Sequence, residues 1–191
     1  MLAGQPYNYH DPELRKERGQ CRAALSKFKN TVNALEVLSA ILKIRPRHHP
    51  PEANAANPIG SLGNNVRVRA PFDCKYGYNI HIGDHVDIGA GCKIMDICRV
   101  EIGAGAVLGQ GVVLCGSNMI QVQTPKGRRG EMVGRPIFIG EDAFLECDVV
   151  IYAGVRVGEG SWILAGTVVH EDVEPFSVVA GKPARLVKYL R

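Results

Sequence analysis

Between Ile139 and Val173 the chain repeats itself every six residues. Ile139, Leu145, Ile151, Val157, Ile163 and Val169 hold one position of the repeat. Four residues after each comes a small or β-branched side chain: Ala143, Val149, Val155, Ser161, Thr167 and Val173. This period fits neither a helix (about 3.6) nor one continuous strand (about 2). It fits short strands joined by turns, with Gly, Asp or Asn at positions that tolerate positive φ. Stacked coils of a parallel β-helix are the architecture that such a repeat specifies.

Ile82, Ile88 and Ile94 form an earlier run, and Ile102, Leu108 and Leu114 another, offset by two residues near Val100. The register then lapses until Ile139. The intervening 116–136 excursion is polar and basic, with Lys126, Arg128, Arg129 and Arg135. In a stacked solenoid such an excursion projects from one edge, and long interruptions of a regular scaffold are commonly functional.

Before the repeats, Asp11 and Pro12 supply a cap and a first-turn proline for a helix over 11–29. Leu35, Leu38, Ile41 and Leu42 predict a second helix over 33–45. The His48-His49 pair, followed by Pro50 and Pro51, reads as a helix-ending turn rather than a metal site. Residues 52–63 read as loop, with strands from about Val66. After Val173 the chain leaves the repeats and ends in a basic amphipathic segment, 183–191. The expected organisation is a helical cap and linker over 1–60, a β-helix over 61–175 and a tail over 176–191.

The apolar fraction of 46% suffices for a buried core. No apolar run reaches the ~20 residues of a membrane span, and the N-terminus lacks the apolar stretch of a secretion signal. Six cysteines without a CxxC pair predict reduced thiols and a cytoplasmic protein. Cys92 and Cys98 fall on the small inward position of successive hexads, where a thiol packs as a small hydrophobe. A net charge of +4 is too small and dispersed for nucleic acid. The basic residues of the excursion and tail are open to two readings, solvated surface or a site for a phosphorylated small ligand.

Four stretches together resemble the maltose/galactoside O-acetyltransferase family: YNYHDPEL, PFDCKYGYNIHIGD, GEMVGRPIFIGED and VVAGKPARLVKYL. The resemblance runs nearly end to end. It implies a predominantly β fold, a left-handed parallel β-helix with an N-terminal two-helix cap and a C-terminal basic tail. It also implies a homotrimer with active sites between subunits, acetyl-CoA as donor and a small-molecule hydroxyl as acceptor. In the family a loop histidine is the general base, and a backbone N–H stabilises the oxyanion. A base matched to neutral pH contributes about 10²–10⁴-fold to attack by a hydroxyl, and fixed N–H donors add to this.

Carried over by residue, the histidine position is Met119, whose thioether accepts no proton from a hydroxyl. On the acceptor side, the family's asparagine position is Gly89, an acidic or serine position is Lys75, and Met132 matches. On the donor side, the resemblance assigns the oxyanion N–H to Cys147 and an apolar wall to Phe144. Small residues that admit pantetheine fall on Ala165 and Gly166, and basic contacts on Arg185 and Lys188. The family's lysine in a Thr-Lys-Asp turn is Glu171 here, with His170 and Lys182 as local substitutes. Candidate replacements for the base are His85, in the turn one hexad before that of Gly89, and Asn118, which orients a hydroxyl without deprotonating it. His81 and His85 lack the third ligand that a zinc site needs, so no metal is expected. Two readings remain: an acetyl-CoA-dependent transferase with an altered acceptor pocket, and a trimeric solenoid that has lost acetyl transfer and serves another small molecule.

Overall fold

A computed structural model of the chain describes residues 6–28, 34–42, 60–124 and 127–190. The His48–Pro51 turn and Lys126 lie outside the described residues.

Short parallel strands wind around a three-faced prism. Face 1 stacks Ser61–Leu62, Ile80–Ile82, Val100–Ile102, Ile137–Ile139 and Arg156–Val157. Face 2 stacks Arg67–Val68, Asp87–Ile88, Val107–Leu108, Phe144–Leu145, Trp162–Ile163 and Ser177–Ala180, closed by antiparallel Arg185–Tyr189. Face 3 stacks Asp73–Cys74, Lys93–Met95, Val113–Cys115, Val150–Tyr152 and Val168–Val169.

Register explains the period. Ile139 pairs with Val157, Leu145 with Ile163 and Ile151 with Val169, each three hexads apart. One coil is therefore three hexads, and each repeat residue points inward onto its equivalent in the next coil. Ile88, Ile94, Leu108, Leu114, Leu145, Ile151 and Ile163 are all at most 1% exposed. The edges turn through left-handed backbone. The edge between faces 1 and 2 carries positive φ at Asn65, His85, Gly105, Asp142, Gly160 and Phe176, and that between faces 2 and 3 at Gly91, Gly111, Asp148 and Gly166. We call these the first and second edges.

The third edge, between faces 3 and 1, absorbs the irregularities. Ile82 pairs with Ile102, two residues beyond three hexads, because the 96–99 corner takes up the extra pair. The 116–136 excursion leaves from the same edge as an antiparallel hairpin, Ser117–Thr124 against Gly127–Gly134, and Pro6–Tyr7 adds a third strand. Cys98 belongs to this irregular corner. It is buried, but beside the Cβ position of Gly134 rather than in the inward ladder that holds Cys92.

Helix α1 spans Pro12–Phe28, and the Asp11 carboxylate caps it by accepting the N–H groups of Glu13 and Leu14 at 2.9 and 3.2 Å. Helix α2 spans Ala34–Leu42. Its buried Leu38, Ile41 and Leu42 join the core of the first coil. That coil starts at Ser61, where Ser61–Leu62, within the stretch read as loop, pairs with His81–Ile82. At the other end the solenoid outlasts Val173: Val178 and Val179 still pair in parallel with Trp162 and Ile163. The basic tail is the exposed strand Arg185–Tyr189, folded back on Ser177–Ala180.

Candidate functional site

The structure sorts the candidate residues onto two edges of face 3. Along the second edge the coils meet almost backbone to backbone. A Cβ on Gly89 would lie 2.7 Å from the Gln110 nitrogen, and one on Gly109 would lie 2.8 Å from the Cys147 nitrogen. The column continues upward because Gly166 N–H donates to the Cys147 carbonyl at 2.9 Å. Cys147, Ala165, Gly166 and Lys182 are thus gathered on one edge, with Lys182 Nζ 4.0 Å from where a Gly166 Cβ would stand. Phe144 faces outward on the adjoining face 2, edge to face with Trp162 at 5.8 Å between centroids. Arg185 and Lys188 lie on the closing strand, opposite Ala180 and Val178.

Cys147 is the exposed thiol of the chain. Its N–H makes no hydrogen bond among the described residues, whereas its neighbours Glu146 and Asp148 donate to Ile163 O and Gln110 O. The Glu146 carboxylate was missed in the sequence. It accepts from Trp162 Nε1 at 2.9 Å and from the Ala165 N–H at 2.8 Å, bracing this edge. An acidic residue within a turn carries no signal of what it braces.

The third edge holds Lys75, Asn118, Met119 and Met132. Met119 and Met132 are register partners on the hairpin, and Tyr7 is the next rung beyond Met132. Met119 is 74% exposed. Beneath them the fully buried Asp96 carboxylate accepts the backbone N–H groups of Lys75, Tyr76 and Gly77 at 2.9, 2.9 and 2.6 Å. Burial raises Asp96 to about 7, partly offset by those three donors. The cap locks onto the same corner: Arg18 donates to the Tyr76 hydroxyl at 2.8 Å, and the Tyr78 hydroxyl donates to Glu17 at 2.8 Å. Burial pushes the Tyr7 phenol up to about 12, against a smaller lowering by the neighbouring Ser117 hydroxyl.

Two further candidates fall elsewhere within one chain. His85 is a positive-φ residue of the first edge, because the turn one hexad before that of Gly89 is one prism edge away. Gly89 lies on the second edge with the donor-side residues, and Lys75, Met119 and Met132 lie on the third. Glu171 is exposed. With His170, Asp172, Glu174 and Arg185 it lines a cavity of about 360 Å³ at the C-terminal end of the prism. No cluster of three or more metal-ligating side chains occurs among the described residues. None of their helices is long and apolar enough to cross a membrane.

Comparison with known proteins agrees with this fold. Residues 1–54 match the maltose acetyltransferase hexapeptide capping motif. The galactoside O-acetyltransferase of Escherichia coli is 32% identical over 145 residues, 73% of this chain and 71% of that protein. The chain belongs to the maltose/galactoside O-acetyltransferase family. Nodulation protein L of Rhizobium meliloti is 32% identical over 188 residues, covering 97% of this chain and 94% of that one. Among family structures, the hexapeptide-repeat acetyltransferase of Vibrio cholerae, solved with acetyl-CoA, superposes with a TM-score of 0.81 at 26% identity, covering 100% of this chain and 96% of the other. This family member is therefore a parallel β-solenoid acyltransferase.

Proposed function

We propose that this chain transfers the acetyl group of acetyl-CoA to a small-molecule acceptor, at a site completed by a second copy of the chain. The carrying observation is the division of the candidate residues. Donor-side groups line one edge of face 3 and acceptor-side groups the other, and the outward residues between them on the upper coils include Val113, Val150 and Val168 beside Cys115 and Tyr152. Apolar side chains on the outer surface of a sheet suit burial against other subunits. Rotation about an axis facing face 3 brings the third edge of one copy to the second edge of the next, a contact that closes into a ring. We assign the ring as a homotrimer.

In that site the unbonded Cys147 N–H is the oxyanion donor. Phe144 walls the pantetheine, which passes the small Ala165 and Gly166. Lys182, Arg185 and Lys188 hold the phosphates, offsetting the carboxylate of Glu171. Lys75, Asn118, Met119 and Met132 surround the acceptor.

Calorimetric titration with acetyl-CoA and with CoA tests this reading. Micromolar binding at one site per subunit is expected, with the subunit number given by sedimentation equilibrium. No binding at millimolar ligand would sink it and leave the other reading, a solenoid reused for a different small molecule.

A further inference from the structure

We propose that the acceptor is a weakly basic primary amine, so that the product is an amide rather than an ester. This rests on the acetyl-transfer reading above and specifies its acceptor half. The starting point is the rung Met119–Met132–Tyr7, where the acceptor edge presents two thioethers and a phenol. None takes a proton at neutral pH: a thioether is not a base, and the Tyr7 phenol is raised to about 12.

Three charged groups described at this edge are committed elsewhere. The Asp96 carboxylate is fully buried beneath three backbone N–H donors. Glu17 accepts the Tyr78 hydroxyl, and Arg18 is tied to the Tyr76 hydroxyl and the Tyr9 carbonyl. His10 is on the cap side of this edge, three residues beyond Tyr7. It is exposed, its ring rests edge-on against Tyr9, and no carboxylate among the described residues orients it.

A hydroxyl acceptor without a base forfeits about 10²–10⁴-fold in rate. An uncharged amine forfeits nothing at this step, because its lone pair is already free. Lys75 sharpens the choice. It makes no ion pair among the described residues, and its cation on this edge disfavours an ammonium while leaving a neutral amine untouched. The favoured amine is therefore one that is largely unprotonated at neutral pH, carried on an apolar body that the adaptable Met119 and Met132 side chains accommodate.

The chemistry balances without an added base. The amine nitrogen attacks the thioester carbonyl carbon, forming the C–N bond, and the oxyanion is held by the Cys147 N–H. The C–S bond then breaks and its electron pair leaves on the CoA sulfur. The ammonium proton passes to that thiolate, through solvent, giving the amide and CoA–SH.

The test offers the full-length protein acetyl-CoA with shape-matched pairs: 4-methylaniline against 4-methylphenol, and 4-nitrophenyl 2-amino-2-deoxyglucoside against 4-nitrophenyl glucoside. Mass spectrometry reads the products against enzyme-free controls. The amine of a pair is expected to be acetylated at least ~100-fold faster than its hydroxyl twin. The rate should follow the free-amine fraction, so that its pH midpoint moves with the basicity of the amine, and His10→Gln should leave it unchanged. Met119→His should add acetylation of the hydroxyl twin. Equal or faster reaction of the hydroxyl would overturn the proposal. So would loss of turnover in His10→Gln together with a pH midpoint independent of the amine. If neither twin reacts while acetyl-CoA binds, the amine assignment fails and the donor half stands; if acetyl-CoA does not bind, both fail.

Discussion

The indole Nε1 of Trp162 donates to Glu146 Oε1 at 2.9 Å, and the other oxygen of that carboxylate takes the Ala165 N–H, so one half-buried side chain ties face 2 to the second edge. Trp162 is the single tryptophan of the chain and reports on this edge by fluorescence. Glu146→Ala should alter Trp162 emission and raise the KM for acetyl-CoA with kcat little changed. The partial exposure of the clamp limits the stability loss to about 1 kcal/mol. Unchanged emission together with an unchanged KM would remove the clamp from the donor site.

Asp96 gives the acceptor edge a pH dependence. Its folded-state pKa is raised to about 7 from 3.8, first by burial, so the folded chain binds this proton more tightly than the unfolded chain. The stabilising contribution is full below about pH 4 and is lost as pH rises to about 7, on the order of 4 kcal/mol in all. Asp96→Asn should flatten that slope in urea titrations at several pH values. It should also destabilise the fold by about 1–3 kcal/mol, because an amide nitrogen cannot accept the Gly77 N–H. A slope that survives the substitution would belong to another group.

Restoring the family's asparagine at Gly89 is expected to fail. The first side-chain carbon would stand 2.7 Å from the backbone nitrogen of Gln110 and from the Gly109 carbonyl carbon, and these are backbone atoms with nothing flexible to yield. Gly89→Asn should cost about 1–3 kcal/mol in chemical denaturation, with no gain in acetylation of simple sugars. A stable variant with new sugar activity would show that the coils separate at this edge.

Thiol chemistry singles out Cys147. Cys147 is exposed, whereas Cys21 and Cys74 are buried with their sulfurs 3.5 Å apart, and Cys74 is held well above the usual thiol range by its hydrogen bond with Cys21 and by burial. Burial likewise pushes Cys92 up to about 11. Iodoacetamide at neutral pH should label Cys147 first, with the buried thiols reacting only on unfolding. Acetyl-CoA should protect Cys147. Labelling that saturating acetyl-CoA does not slow would separate Cys147 from the donor site.

The repeat made the solenoid legible, because an inward residue every sixth position has one geometric meaning once coils stack. The Asp11 cap and the two-residue offset near Val100 were legible for similar local reasons. The site was less so. His85 and Gly89 are four residues apart in sequence yet lie on different edges, since each hexad turns the chain through a corner. The role of Asp96 was invisible, because its three partners come from the preceding coil. The strand at 177–180 was missed because Pro175 and Phe176 interrupt the period that had marked the others.

By itself the sequence determined the solenoid: its six-residue period, its positive-φ turns, its capping helices and the family to which these belong. Those properties follow from local side-chain size and backbone freedom repeated along the chain. Only the tertiary structure decided which edge each candidate occupies. It set Met119 against Met132 and Tyr7, left the Cys147 N–H unbonded and put Val113, Val150 and Val168 between the two edges. Those relationships join residues a full coil or more apart, where pairing between coils rather than position along the chain fixes who meets whom.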